Sequence, residues 1–218
     1  LLQFIILFIT LPFNIVKHEY SDTELLYFAE TTFYKQDSYA KWQKPIQVEL
    51  SGIYSLEDAL TVQEIIKDIK PYLNVNISLV KNQGNLKIHF DADTTSYHNR
   101  FETLKQNCPL GYMKPTISKK QIFNAAIYLH PALIYPKKHE VLRHELLHAL
   151  GLLGHSNISF KQENMLANII FKSLQHQQEV RSNKAIPLLD KLALYRLYHS
   201  KKSILKRKNY QYLYAKVI

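Results

Sequence analysis

The chain has a single cysteine, Cys108, in 218 residues, so no intrachain disulfide framework holds it together. That thiol is expected to be a small buried or loop residue. Only two methionines occur, and there are no internal repeats or low-complexity tracts. No pattern of a nucleic-acid-binding module is present, so no nucleic-acid partner is predicted. Acidic residues are scarce beside basic ones: 18 Asp and Glu against 28 Lys and Arg give a formal net charge of +10, and no acid follows Asp190. Charged residues make up only 21%, which excludes general disorder, and the 46% hydrophobic content suits one compact domain with short extensions.

Residues 1–16, LLQFIILFITLPFNIV, are nearly all apolar, yet the stretch is short for a spanning helix and contains Pro12. Residues 1–20 therefore read as a signal peptide or N-terminal anchor, and the expected location is secreted or anchored on the extracytoplasmic side. Residues 21–40 read as a spacer or a short leading helix, residues 41–200 as the folded domain, and residues 201–218 as a basic tail. The tail carries Lys201, Lys202, Lys206, Arg207 and Lys208. Such a run is usually a solvated face, and contact with a membrane or another anionic surface is the alternative. Tyr210, Tyr212 and Tyr214 alternate, which suggests a terminal strand or an interfacial segment. A monomer is expected.

The chemistry lies in His144-Glu145-Leu146-Leu147-His148-Ala149-Leu150-Gly151, followed by Gly154-His155. Residues four apart share a helix face, so His144 and His148 can turn two imidazoles toward one ion with Glu145 beside them. Gly151 can adopt a left-handed conformation, end the helix and turn the chain back, which makes His155 available as a third donor. Three protein ligands plus a water are the arrangement of a catalytic zinc site, not of a closed structural one. Val141, Leu142, Leu146, Leu147, Leu150 and Leu152 supply apolar surface around this helix, and Pro136 lies where a helix start tolerates proline.

This segment resembles the metzincin zinc endopeptidases, closest to their compact matrixin-like branch, whose motif is HExxHxxGxxH followed by a methionine turn. His144, Glu145, His148 and Gly151 match position by position. Gly154 stands at the third histidine's place, and His155 comes one residue later. Glu163 is the rival third ligand and would suit a different zinc-protease clan. Met165 follows in Glu-Asn-Met-Leu-Ala, where the family has its methionine floor, and residues 186–198 are similar to the family's closing helix. The resemblance covers roughly Trp42 to His199, and only the metal segment is specific.

The resemblance implies an α+β zincin domain with a twisted, mostly parallel sheet, a backing helix, an active-site helix and a C-terminal helix. It also implies Zn2+ held by His144, His148 and His155, with Glu145 as general base and a peptide or protein substrate. Two other readings compete with peptide-bond hydrolysis. One is a degenerate domain that binds peptide or polymer without cleaving it, and the other is a basic membrane- or polymer-associated structural protein.

Alternation predicts strands at residues 46–50, 75–80, 86–90 and 121–130. Helical spacing over residues 55–69 places Leu56, Ala59, Leu60, Val62, Ile65, Ile66 and Ile69 on one apolar face, with Ser55 as N-cap. Residues 91–115 read as an irregular loop bordering the cleft. A second ion at His89, Asp91, Asp93 and His98 lacks a complete ligand spacing, and solvated loop residues are the better reading. The strand at 121–130 is expected to place Phe123, Ala125, Ile127 and Leu129 on one side and to be the edge that pairs with substrate, as in the family.

Overall fold

The computed structural model describes residues 19–33, 38–91, 93–99, 109–156 and 186–217. The first helix, α1 (Asp22–Thr32), begins at Ser21, whose hydroxyl accepts the Glu24 N–H while the Glu24 carboxylate accepts the Ser21 N–H. This reciprocal cap satisfies donors that a helix start leaves open. Strands β1 (Lys41–Trp42) and β2 (Ile46–Gly52) follow. Helix α2 (Leu56–Ile69) opens with a second reciprocal cap, Ser55 with Asp58, at the residue the sequence indicates. Strands β3 (Ile77–Val80) and β4 (Leu86–Phe90) come next, then the short α3 (Thr94–Asn99), β5 (Gly111–Ser118) and β6 (Gln121–Leu129). Helices α4 (Lys137–Ala149), α5 (Leu188–His199) and α6 (Gln211–Val217) complete the described elements.

The sheet runs β1-β6-β4-β2-β3, all parallel, with β5 added antiparallel to β6. The fold class is α+β, as expected: a mostly parallel sheet with the motif helix α4 packed on β5 and β6 and α2 behind it. Ile46 and Val48, Leu86 and Ile88, and Ala125, Ile127 and Leu129 alternate along β2, β4 and β6 and are buried in one core. The apolar residues flanking the motif, Val141, Leu142, Leu146, Leu147, Leu150 and Leu152, join that core. Burial of such side chains contributes about 1.5–3 kcal/mol each, so α4 is held by packing as well as by its own hydrogen bonds.

Four expectations are corrected. Among the described residues the edge strand is β5, not the 121–130 strand: β6 lies between β4 and β5. Pro115 lacks an N–H and fits this edge position. Phe123 is exposed, because the register shifts at Thr116/Ile117 and turns Ile122 inward while Phe123 and Asn124 face out. Such a bulge changes which residues a strand presents to each face. Leu56 and Leu60 are exposed, at 77% and 49%, since the first turns of α2 bury Asp58 and Thr61 against α4 instead. The C-terminal segment is not a strand. A 3-10 turn, Arg207–Tyr210, leads into α6, and Leu205, Tyr210 and Leu213 are buried in the same core as α1.

Helix α1 also belongs to that core. Leu26, Tyr27 and Phe28 are fully buried, and α1 packs against α5 and α6. Among the described residues, no helix is long and apolar enough to cross a membrane. The apolar run at residues 1–16 lies outside them.

Candidate metal centre

Helix α4 presents His144 and His148 one turn apart. Its end is then built to redirect the chain. The Gly151 N–H bonds to His148 O (2.9 Å) and the Leu152 N–H to Leu147 O (3.2 Å), the pair of bonds that closes a helix through a residue of positive φ. Gly151 has φ +106°, a conformation glycine alone adopts without strain. Two side chains cap the remaining carbonyls: the Trp42 indole N–H donates to Ala149 O (2.8 Å) and the Tyr198 hydroxyl to Leu150 O (3.0 Å). These backbone acceptors would otherwise be buried without partners.

The return loop brings His155 back under the helix. The three Nε2 atoms lie 3.0 Å (His148 to His144), 3.1 Å (His155 to His144) and 3.3 Å (His148 to His155) apart. Nitrogens 2.0–2.1 Å from a tetrahedral ion sit about 3.3–3.4 Å from one another, so the spacing fits a single cation with little adjustment. The residues can hold a metal ion, and among the described residues this is the one group of three or more His, Cys, Asp or Glu donors. His144 and His148 are buried, whereas His155 is exposed. Within the return loop, the Gly154 N–H donates to Thr31 O (2.7 Å).

Protonation is arranged for ligation. The outer nitrogen of His148, Nδ1, lies 2.5 Å from Leu152 O. A carbonyl only accepts, so Nδ1 carries the proton and Nε2 presents a lone pair to the centre. Burial, reinforced by His144 and His155, holds His148 well below the usual imidazole pKa, and partial desolvation of the His155 ring, though that residue is exposed overall, lowers it as well. Both therefore favour the neutral form that binds metal.

Glu145, on the turn beside these rings, is buried, and that burial raises its carboxyl to about 8 in the metal-free chain. It lies beneath the start of β5. A Cβ built on Gly111 would meet Glu145 Oε1 at 2.9 Å and Val141 Cγ1 at 2.5 Å, so the absence of a side chain at residue 111 leaves space for the carboxylate.

Glu163, Met165 and Cys108 fall outside the described residues. The second-ion candidates do not gather into a ligand group among the described residues. Instead, His89 Nδ1 pairs with Ser51 Oγ at 2.8 Å and its ring stacks on Tyr128, while His98 neighbours Tyr97 and His130. Gly111, Leu152, Trp42 and the end of α1 were not foreseen as parts of the site. Backbone acceptors and a missing Cβ leave no residue signature, although Trp42, the chain's one tryptophan, was a visible clue.

No family model and no curated protein matches the chain. Among solved structures it is similar to myroilysin, at 10% sequence identity over 84% of this chain and 98% of that one, with a TM-score of 0.42. An overlap that loose places no residue of one chain on a residue of the other.

Proposed function

We propose that this protein is a zinc-dependent endopeptidase that hydrolyses peptide bonds, with His144, His148 and His155 as ligands and Glu145 as general base. The observation that carries the reading is the convergence of three Nε2 atoms within 3.3 Å of one another, next to a buried carboxylate on the same helix. The earlier resemblance to metzincins points the same way. Zn2+ suits the donor set, since three imidazole ligands would leave a four-coordinate ion one open position.

Bound there, zinc supplies a Lewis acid that polarises a scissile carbonyl and acidifies water. The chain's own groups do the rest. His148 is locked in the ligating tautomer by Leu152 O. A carboxylate oxygen of Glu145 accepts the proton of the attacking water and returns a proton to the leaving amine nitrogen. Among the described residues, strand β5 pairs on one side only, with β6, and α4 packs against it. An extended peptide can add to its other side through main-chain hydrogen bonds, which bind with little regard to sequence. Peptides and proteins are therefore the proposed substrates, and the apolar run at residues 1–16 is the basis for proposing that they are met outside the cytoplasm.

The Glu145→Gln variant tests the assignment. It should bind one zinc per chain as the parent does and lose cleavage of a fluorogenic peptide library by at least about 100-fold. Full cleavage by that variant would show that the base has been misassigned.

A further inference from the structure

His155 is the least anchored of the three imidazoles. His144 and His148 ride on a buried helix, whereas His155 is exposed and stands in the return loop. The two residues flanking it are both tied to one distant element. On one side, the Gly154 N–H donates to Thr31 O at 2.7 Å. On the other, the Ser156 hydroxyl donates to Glu30 Oε2 at 2.5 Å, and Ser156 is fully buried. Glu30 and Thr31 are consecutive residues in the last turn of α1, more than a hundred positions away in sequence.

Helix α1 is in turn fixed to the element that closes the site helix. The Tyr27 hydroxyl donates to the Asp190 carboxylate, the hydroxyl of Tyr20, just ahead of α1, donates to Leu192 O, and the Arg196 guanidinium lies over the Tyr20 and Phe28 rings. All three partners belong to α5, whose Tyr198 caps Leu150 at the end of α4. The contacts therefore form a closed circuit. It runs from α4 through the return loop to α1, then through α5 back to the end of α4.

We propose that Glu30 and Ser156 are positioning residues for His155, and that α1 acts as a clamp completing the three-imidazole site. The proposal rests on the metal reading of that site. A charged acceptor on a buried hydroxyl fixes direction as well as distance. Residues that orient a ligand from behind typically change metal affinity by about 10- to 100-fold when removed. The clamp acts through His155 and touches neither substrate nor the reacting atoms.

The test uses the full chain and the variants Ser156→Ala, Ser156→Thr and Glu30→Gln. Zinc affinity is measured by chelator competition, and the ligand field is read from the visible spectrum of the cobalt-substituted protein. Unfolding of the metal-free protein serves as the stability control. Ser156→Ala should lower zinc affinity about 10- to 100-fold and shift the cobalt bands, with Ser156→Thr restoring both. Glu30→Gln keeps an acceptor without the charge and should fall between, and it provides the reading should Ser156→Ala fail to fold. Zinc affinity within twofold of the parent and an unchanged cobalt spectrum, in whichever of Ser156→Ala and Glu30→Gln folds, would overturn the clamp while leaving the metal centre intact. A parent chain that binds no stoichiometric metal would overturn both.

Discussion

Replacing Gly151 by alanine should damage the protein at the point where the site helix turns into the return loop. Two costs are visible. The backbone sits at φ +106°, outside the regions an L-residue adopts without strain, which costs about 1–3 kcal/mol. The new Cβ would also lie 2.3 Å from Ala40 O and 3.0 Å from Leu197 Cδ2. The Leu197 side chain can give way, but the Ala40 carbonyl belongs to the backbone just ahead of β1 and cannot move without carrying the strand with it. Overpacking of this kind costs about 1–3 kcal/mol. The two together give about 2–6 kcal/mol, and at about 2–4 °C per kcal/mol for a chain of this size a mid-range loss of about 4 kcal/mol lowers the melting temperature by about 8–16 °C. Thermal unfolding in chelator, followed by circular dichroism, isolates this effect from metal binding. Adding Leu197→Ala should recover little, because the backbone clash remains. A Gly151→Ala protein melting within about 2 °C of the parent would show that neither the positive φ nor the Ala40 carbonyl constrains residue 151.

Two further outcomes are expected. Gly111→Ala places a Cβ 2.8 Å from Glu145 Cγ and 2.5 Å from Val141 Cγ1; the stiff, buried Val141 gives way little, so the Glu145 side chain should be displaced along with some loss of stability. Hydrolysis should fall by about 100-fold with a stability loss of about 1–3 kcal/mol, and undiminished kcat/KM would contradict that geometry. Metal-free stability should depend on pH in two opposing ways. Desolvation, only partial for the exposed His155, lowers His130, His139, His148 and His155 from 6.5, so their contribution is complete above pH 6.5 and is lost as the pH falls through the folded values. Burial raises Glu145 from 4.5 to about 8, so its contribution is complete below pH 4.5 and is lost as the pH rises toward 8. Glu145→Gln removes only the second effect. Urea midpoints in chelator should therefore drop more between pH 7.5 and 5.5 in that variant than in the parent. Equal drops would show that Glu145 does not titrate as described.

What the sequence revealed were the features set by local geometry. His144, Glu145 and His148 follow from helical spacing, Gly151 from its conformational freedom, and Ser55 from its reciprocal cap with Asp58. Strand β4 was legible end to end because Leu86, Ile88 and Phe90 alternate with polar residues on a half-buried surface. What depends on distant partners was hidden. The β5–β6 turn places Lys119 and Lys120 at φ +48° and +68°, where Asn-Gly would have announced a hairpin, so the edge strand read as loop. The bulge that exposes Phe123 is a property of the pair of strands, not of either one. Helix α1 buries Thr31 and Thr32 beside Leu26, Tyr27 and Phe28, a mixed face that blurs the apolar spacing. The alternating tyrosines of the tail mimic a strand, yet Tyr210 and Leu213 find their burial against α1 through a 3-10 turn and a helix.

The central claim is that His144, His148 and His155 close on one ion. X-ray absorption at the zinc edge of the reconstituted protein measures this directly. The expected spectrum has one zinc per chain with three imidazole nitrogens at about 2.0–2.1 Å and one oxygen, and His155→Ala should lose one imidazole. A shell of fewer than three imidazoles, or one unaltered by His155→Ala, would contradict that claim.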